Sequence, residues 1–251
     1  MYTVQLKDIV LGEGIPKICI SITGRTEEEI YREAEALKVL PIDIVEWRVD
    51  WFEGGLDIEQ VLHVLPQLQY ILGAHPLIFT IRTKEEGGEK AYTPELYKVM
   101  NRAAIQSGYV DMVDVEIFRG DEITRELIKE AHRGGCKIIA SNHEFHMTPS
   151  KEEIISRLMQ MQNLGADVLK VAVMPQTSKD VLTLLEATRE MVEEKATCPV
   201  VTMSMSSLGM VSRVSGEIFG SAMTFGAGEM ASAPGQIPAM ELSKILKTLK
   251  K

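Results

Sequence analysis

One pattern recurs about every 25 to 35 residues along this chain: a short apolar strand, a polar turn, then a stretch with helical apolar spacing. Strand candidates fall at 17–23, 44–50, 77–83, 112–117, 137–143, 168–174, 199–205 and 221–226. Helix candidates between them include 26–39, 93–107, 121–134, 150–164 and 178–195. Thr26 with Glu29, and Ser150 with Glu153, fit the capping box. Gly134 and Gly165 stand where helices should stop. Eight strands alternating with helices in 251 residues is the arithmetic of a (β/α)8 TIM barrel. A doubly wound open sheet is the competitor, with roughly six strands expected. No linker or low-complexity stretch divides the sequence, so a single barrel domain is expected over 1–251. Extended stretches at 3–6 and 9–11 are expected to form a short N-terminal hairpin closing the bottom of the barrel.

Charge and cysteine content narrow the class. The chain has 27 Lys+Arg against 36 Asp+Glu, a formal net charge of −9, and no basic run. That argues against binding nucleic acid or an anionic membrane. The longest apolar stretches are strand-sized, and the first residues lack the basic and apolar regions of a secretory signal. Cys19, Cys136 and Cys198 sit at or beside β-branched runs with no pairing logic, as buried thiols of a reducing compartment do. A cytoplasmic protein is expected.

Gly226-Ala-Gly228-Glu-Met-Ala231 matches a dinucleotide-binding fingerprint and follows a strand. The fingerprint also needs a helix opening at the glycines, and Pro234, Gly235 and Pro238 break one. These glycines fit a turn at the barrel mouth better.

The strands carry charge on one face. Alternation puts Glu46, Arg48 and Asp50 together, and likewise Thr80 with Arg82, Asp114 with Glu116, Ser141 with His143, and Met203 with Met205. On a half-exposed antiparallel sheet such a face is simply wet. In a barrel whose outside is covered by helices, these side chains point into the interior, where charges must be paired or functional. Lys170 stands in an otherwise apolar strand, Val168 to Met174. It is either a lysine snorkelling from an edge, a partner for a structural carboxylate, or a nucleophilic amine freed by desolvation and a nearby guanidinium. A neutral amine condenses with a ketone to a Schiff base, whose iminium acidifies the adjacent carbon. His143 ends the fifth barrel strand, on the side where barrel catalysts sit, and an imidazole serves as both base and acid. His143 and His146 lack the helical zinc spacing, and Glu144 is out of phase with them, so no metal is expected. His63, His75 and His132 lie in or beside helix candidates.

Asp114-Val-Glu116-Ile, Ile138-Ile-Ala-Ser-Asn-His143, Leu169-Lys170-Val-Ala, Met203-Ser-Met205, Arg213 and Ser232-Ala-Pro-Gly-Gln236 together resemble the type I 3-dehydroquinate dehydratases. The resemblance runs from about residue 18 to the C-terminus, in order and with strand-appropriate spacing. It departs at Glu144, where the family more often has Asp. What it implies is a (β/α)8 lyase of the shikimate pathway, without metal or cofactor, acting as a homodimer on a small-molecule substrate. It implies that Lys170 forms an imine with the C3 ketone, and that His143 takes a proton from C2 and returns one to the departing C1 hydroxyl. By the same resemblance Glu86 orients His143, and Arg213 clamps the substrate carboxylate. Ser232 and Gln236 close over the substrate from the loop 227–237, Glu46, Arg48 and Arg82 hold ring hydroxyls, and Met203, Met205 and Phe225 wall the ring. Because the chain is acidic overall, Arg48, Arg82 and Arg213 are expected to make a locally positive pocket. Two other readings stay open: a class I Schiff-base aldolase, and a silent barrel used as a binding module.

Overall fold

The computed structural model describes residues 2–250. Two short strands come first, β1 (Val4–Leu6) and β2 (Ile9–Leu11), paired antiparallel. Eight strands then run parallel: β3 (Lys17–Ile22), β4 (Ile44–Arg48), β5 (Leu77–Thr80), β6 (Met112–Glu116), β7 (Lys137–Glu144), β8 (Val168–Val173), β9 (Val200–Ser204) and β10 (Met223–Gly226). From β3 to β9 each pairs with the next in sequence, and β10 pairs with β3. β9 and β10 meet through Ala222, whose N–H donates to the Val200 carbonyl at 2.8 Å, beside a parallel bridge from Val200 to Ser221. The result is a TIM barrel, as the alternation requires.

The connecting helices are α1 (Glu27–Leu37), α2 (Ile58–Leu72), α3 (Pro94–Ser107), α4 (Asp121–Arg133), α5 (Lys151–Leu164), α6 (Ser178–Glu190), α7 (Met210–Val214), α8 (Gly216–Phe219) and α9 (Ala239–Thr248). In α1, Ile30, Ala34 and Leu37 recur at helical spacing and are buried against the barrel. The expected capping boxes at α1 and α5 are half-formed. The hydroxyls of Thr26 and Ser150 accept from Glu29 N–H and Glu153 N–H, but the glutamates are used elsewhere. Glu29 accepts from Arg25 N–H and Glu153 from Arg157 Nε. The complete box is at α6, between Thr177 and Asp180. Gly134 and Gly165 do end α4 and α5, and α6 loosens into a wider turn at Met191–Lys195.

Strand alternation sorts the interior into a dry floor and a polar top. Outward residues such as Val45, Trp47, Phe79, Val115 and Val171 are buried under the helices. Inward residues at the strand beginnings form a second apolar cluster: Cys19, Ile44, Ile78, Met112, Ile139, Val168, Val201 and Met223. Leu6 and Leu11 of the hairpin pack on that cluster and plug the bottom. Lys7, at the hairpin turn, donates to the carbonyls of Gly73 and His75 and pairs with Asp111. With the floor filled by hydrocarbon, the polar and charged residues two and four positions further along β4 to β8 meet at the C-terminal end. No helix among the described residues is long and apolar enough to cross a membrane.

Candidate active site

A cavity of about 170 Å³ opens at the C-terminal end of the barrel. All twelve candidate residues line it: Lys170, His143 and Glu86; Glu46, Arg48 and Arg82; Arg213, Ser232 and Gln236; Met203, Met205 and Phe225. Their strands explain the convergence. Glu46 and Arg48 come from β4, His143 from β7, Lys170 from β8, Met203 from β9 and Phe225 from β10, all with inward phase. His146 lies outside the cavity and is exposed. At the dinucleotide-like glycines, β10 ends at Gly226, and Ala227 then bridges Pro238 with no helix opening between them.

Lys170 is buried at the base of the cavity. Its Nζ donates to Asp114 Oδ2 at 3.1 Å, lies 3.7 Å from Glu46 Oε1, and sits 4.4 Å from the centre of the Phe225 ring. The guanidinium expected beside it reaches it only through a shared carboxylate, since Arg82 Nη2 donates to the same Asp114 Oδ2 at 2.8 Å. Burial alone would raise the Asp114 carboxyl. Arg82, Lys170 and the Ser141 hydroxyl outweigh burial and hold it below the usual range.

His143 is clasped by Glu86, which closes the 3₁₀ turn Lys84–Glu86 after β5. Glu86 Oε2 accepts from the His143 backbone N–H at 2.8 Å and lies 2.9 Å from ring Nδ1. Glu86 Oε1 accepts from Asn142 Nδ2 at 3.2 Å. Burial, then the neighbouring Glu116 carboxylate, push Glu86 up to about 8. Burial, then the charges of Arg82, Lys170 and Arg48, hold the His143 imidazole well below its ordinary value. The imidazole is thus held neutral, and it can act as a base at Nε2 once Glu86 is ionised and accepts Nδ1–H.

The three arginines do not make a positive patch, contrary to the sequence-based expectation. Arg48 forks onto Asp50 at 2.8 and 2.7 Å. Arg82 donates to Asp114 and to Glu116, both at 2.8 Å. Buried guanidinium groups demand carboxylates; Asp50, two residues on, supplies one, and β6 supplies the other two. Arg213 is the exception. Carried on short α7, it is 1% exposed and has no carboxylate within 4.0 Å among the described residues. It donates only to the Phe225 and Pro234 carbonyls, at 3.3 and 2.9 Å, and weakly to Met203 Sδ. Its Nε has no partner, and burial pushes the group down to about 10. Among the described residues, Arg213 is the cation lining this cavity that no carboxylate pairs.

The segment after β10 forms the roof. Gln236 Oε1 accepts from Ser232 N–H at 2.8 Å, and Ser232 Oγ donates to Ser21 Oγ at 3.0 Å. Ser21 Oγ donates in turn to Glu46 Oε2 at 2.6 Å, linking the roof to the carboxylate beside Lys170. Ser21, Gly87 and Phe145 line the cavity and escaped the sequence reading. Ser21 had a signal, a hydroxyl at inward phase in an apolar strand. Gly87 had none: it sits at φ +82°, and a Cβ there would lie 2.4 Å from the Phe145 ring.

A buried lysine, a histidine held by a carboxylate, and a guanidinium without a carboxylate partner, all lining one cavity, can bind an anionic ketone, condense with it and move its protons. Comparisons with known proteins agree on a family. The model described as type I 3-dehydroquinase matches residues 18–251. The 3-dehydroquinate dehydratase of Clostridioides difficile strain 630 is 51% identical over 248 residues, covering 99% of this chain and 97% of the relative. That of Salmonella agona strain SL483 is 50% identical, covering 99% of each. The crystal structure of a type I 3-dehydroquinate dehydratase from Clostridium difficile superposes with a TM-score of 0.97 at 51% identity, covering 99% and 98% of the two chains. The chain belongs to the type I 3-dehydroquinase family.

Proposed function

We propose that this enzyme dehydrates 3-dehydroquinate to 3-dehydroshikimate, in the shikimate pathway, by syn elimination through a Lys170 imine. The observation that carries this is the meeting of Lys170, His143 and Arg213 on one cavity. Lys170 Nζ attacks the C3 carbonyl, and loss of water gives the iminium. His143, neutral at the outset, takes a proton from C2 to give the enamine. The enamine forms the C1–C2 double bond as the C1 hydroxyl leaves, protonated by His143 as water. Hydrolysis of the conjugated iminium frees the product and the amine, so the net change is one water lost.

Arg213 binds the substrate carboxylate, since among the described residues it is the cavity cation without a carboxylate partner. Glu46 and Arg48 meet ring hydroxyls with Arg82, which also holds Asp114 and Glu116 in place. Asp114 positions Lys170 Nζ, because a carboxylate held below the usual range is a poor acceptor for its proton. Met203, Met205 and Phe225 wall the ring, and Ser232 and Gln236 close the roof. No metal or cofactor enters these steps. The three free cysteines support a reducing, cytoplasmic setting, and the family resemblance supports a homodimer, which sedimentation equilibrium tests.

Incubating the purified protein with 3-dehydroquinate and following the conjugated product by ultraviolet absorbance tests the reaction. Product formation with no turnover of phosphorylated ketoses is expected. Cleavage of a ketose phosphate instead would favour the aldolase reading, and silence on both would favour a binding module.

A further inference from the structure

The His143–Glu86 pair is tied to helix α5 through one amide. Asn142, buried next to His143 on β7, donates from Nδ2 to Glu86 Oε1 at 3.2 Å and accepts at Oδ1 from Arg157 Nη1 at 2.7 Å. A guanidinium can only donate, and an ionised carboxylate can only accept. The amide between them therefore has one workable orientation, with its carbonyl toward Arg157 and its NH2 toward Glu86. We infer that Arg157 is a positioning residue for the Glu86–His143 pair, acting by fixing the Asn142 amide so that it donates to Glu86. This rests on His143 being the base of the proposed reaction.

Arg157 is held more firmly than a surface i, i+4 pair requires. Its Nε donates to Glu153 Oε1 at 2.8 Å, its Nη1 lies 3.9 Å from Glu144 Oε2, and its guanidinium stacks 5.4 Å over the Phe118 ring. Glu144, at the end of β7, is thus part of the Arg157 setting. The groups facing Glu86 come from three strands. Arg82, following β5, is 3.8 Å away; Glu116 ends β6; His143 and Asn142 belong to β7. Lys170 on β8 and Arg48 on β4 act on the His143 side. Among these, the Asn142 amide can reverse its polarity by a simple flip. With its NH2 toward Glu86 it favours the carboxylate, and with its oxygen there it favours the protonated acid. Glu86 must be ionised to accept Nδ1–H and leave Nε2 free to act as base. Arg157 keeps the flip from occurring.

The test is the pH dependence of kcat/KM in Arg157→Met, Arg157→Lys and Asn142→Leu. In Arg157→Met the rising limb should move up by roughly half to one pH unit, with the high-pH plateau retained. On the acid side that is a roughly three- to tenfold loss. Arg157→Lys, still a donor, should restore most of the profile. Asn142→Leu should move the limb as well, and adding Arg157→Met to it should move it no further. A uniform loss of activity with an unmoved limb, in either single variant, would make Arg157 a merely structural residue. Should Arg157→Met fail to fold, Asn142→Leu and Arg157→Lys decide the matter alone. Borohydride trapping with 3-dehydroquinate runs alongside: wild-type labelling at Lys170 with an unmoved limb overturns the positioning role only, and absent wild-type labelling overturns the parent mechanism.

Discussion

One oxygen of Glu86 holds His143 twice: Oε2 accepts the backbone N–H at 2.8 Å and faces ring Nδ1 at 2.9 Å. Strand and ring are thus aligned by a single atom, and ring Nε2 is left for the cavity. Burial and Glu116 push Glu86 up to about 8, while burial and three cations hold the imidazole well below its ordinary value. Below that pH the pair carries a proton between Glu86 and Nδ1, with Nε2 protonated. Above it, Nδ1–H donates to an ionised Glu86, and Nε2 has a free lone pair. The base form is therefore the high-pH form, and kcat/KM should rise with pH through an apparent pKa of about 8 that belongs to the pair. Glu86→Gln should abolish that limb. A profile flat from pH 6 to 9 in the wild-type enzyme, measured with chemistry rate-limiting, would contradict this account.

Arg213 should separate activity from stability. It is a buried cation without a carboxylate, so Arg213→Met should raise KM roughly 10- to 100-fold by removing charge-assisted hydrogen bonds to the substrate. The same change removes an uncompensated buried charge and should leave the melting temperature unchanged or higher. Steady-state kinetics and a thermal melt on the same preparation check both. A large fall in melting temperature with KM intact would assign Arg213 to the scaffold instead.

Asp114 should behave in the opposite way. Its Oδ2 accepts from both Arg82 and Lys170, and its Oδ1 from Ser141 at 2.5 Å. Asp114→Asn leaves two buried cations short of a counter-ion and should destabilise by about 3–5 kcal/mol in urea unfolding. Because its carboxyl is held below the unfolded-state value, the stability it provides is present above that value and is lost as pH falls through the lower native one. Equal stability of wild type and variant at pH 7 would show that the pairing energy is cancelled by desolvation.

The barrel was legible because its strands are buried on both faces, so apolar runs and helical spacing alternate without ambiguity. Inward phase was legible for Glu46, Asp114, His143 and Lys170, since charge in such strands has nowhere else to go. Phase alone does not reveal who neutralises whom. Arg48 is paired by Asp50 two positions on and Arg82 by Asp114 and Glu116 of the neighbouring strand, and so the expected positive pocket shrank to Arg213. Arg213 itself sits on a helix of five residues, too short for periodicity to show that it is buried. Gly87 against Phe145, and Asn142 against Glu86, depend on contacts across 56 or more positions or on backbone angles, and local sequence encodes neither.

The roof over the cavity should respond to substrate. Ser232 holds it to Ser21, and Pro234 to Arg213. A carboxylate bound at Arg213 and a ring hydroxyl near Ser232 add contacts to the same segment. Limited proteolysis within 227–237 should slow with a non-reacting substrate analogue bound, and should quicken in Ser232→Ala. Identical cleavage rates with and without ligand would rule out a substrate-responsive roof.

The central claim is covalent chemistry at Lys170, and borohydride reduction in the presence of 3-dehydroquinate tests it most directly. Intact mass and peptide mapping should show one substrate-dependent adduct on Lys170 in the wild type. Lys170→Ala should give no adduct and no turnover. His143→Ala should still form the adduct while losing roughly 100- to 10,000-fold in turnover. An unlabelled but folded wild type, a label on another lysine, or normal turnover in Lys170→Ala would contradict the mechanism.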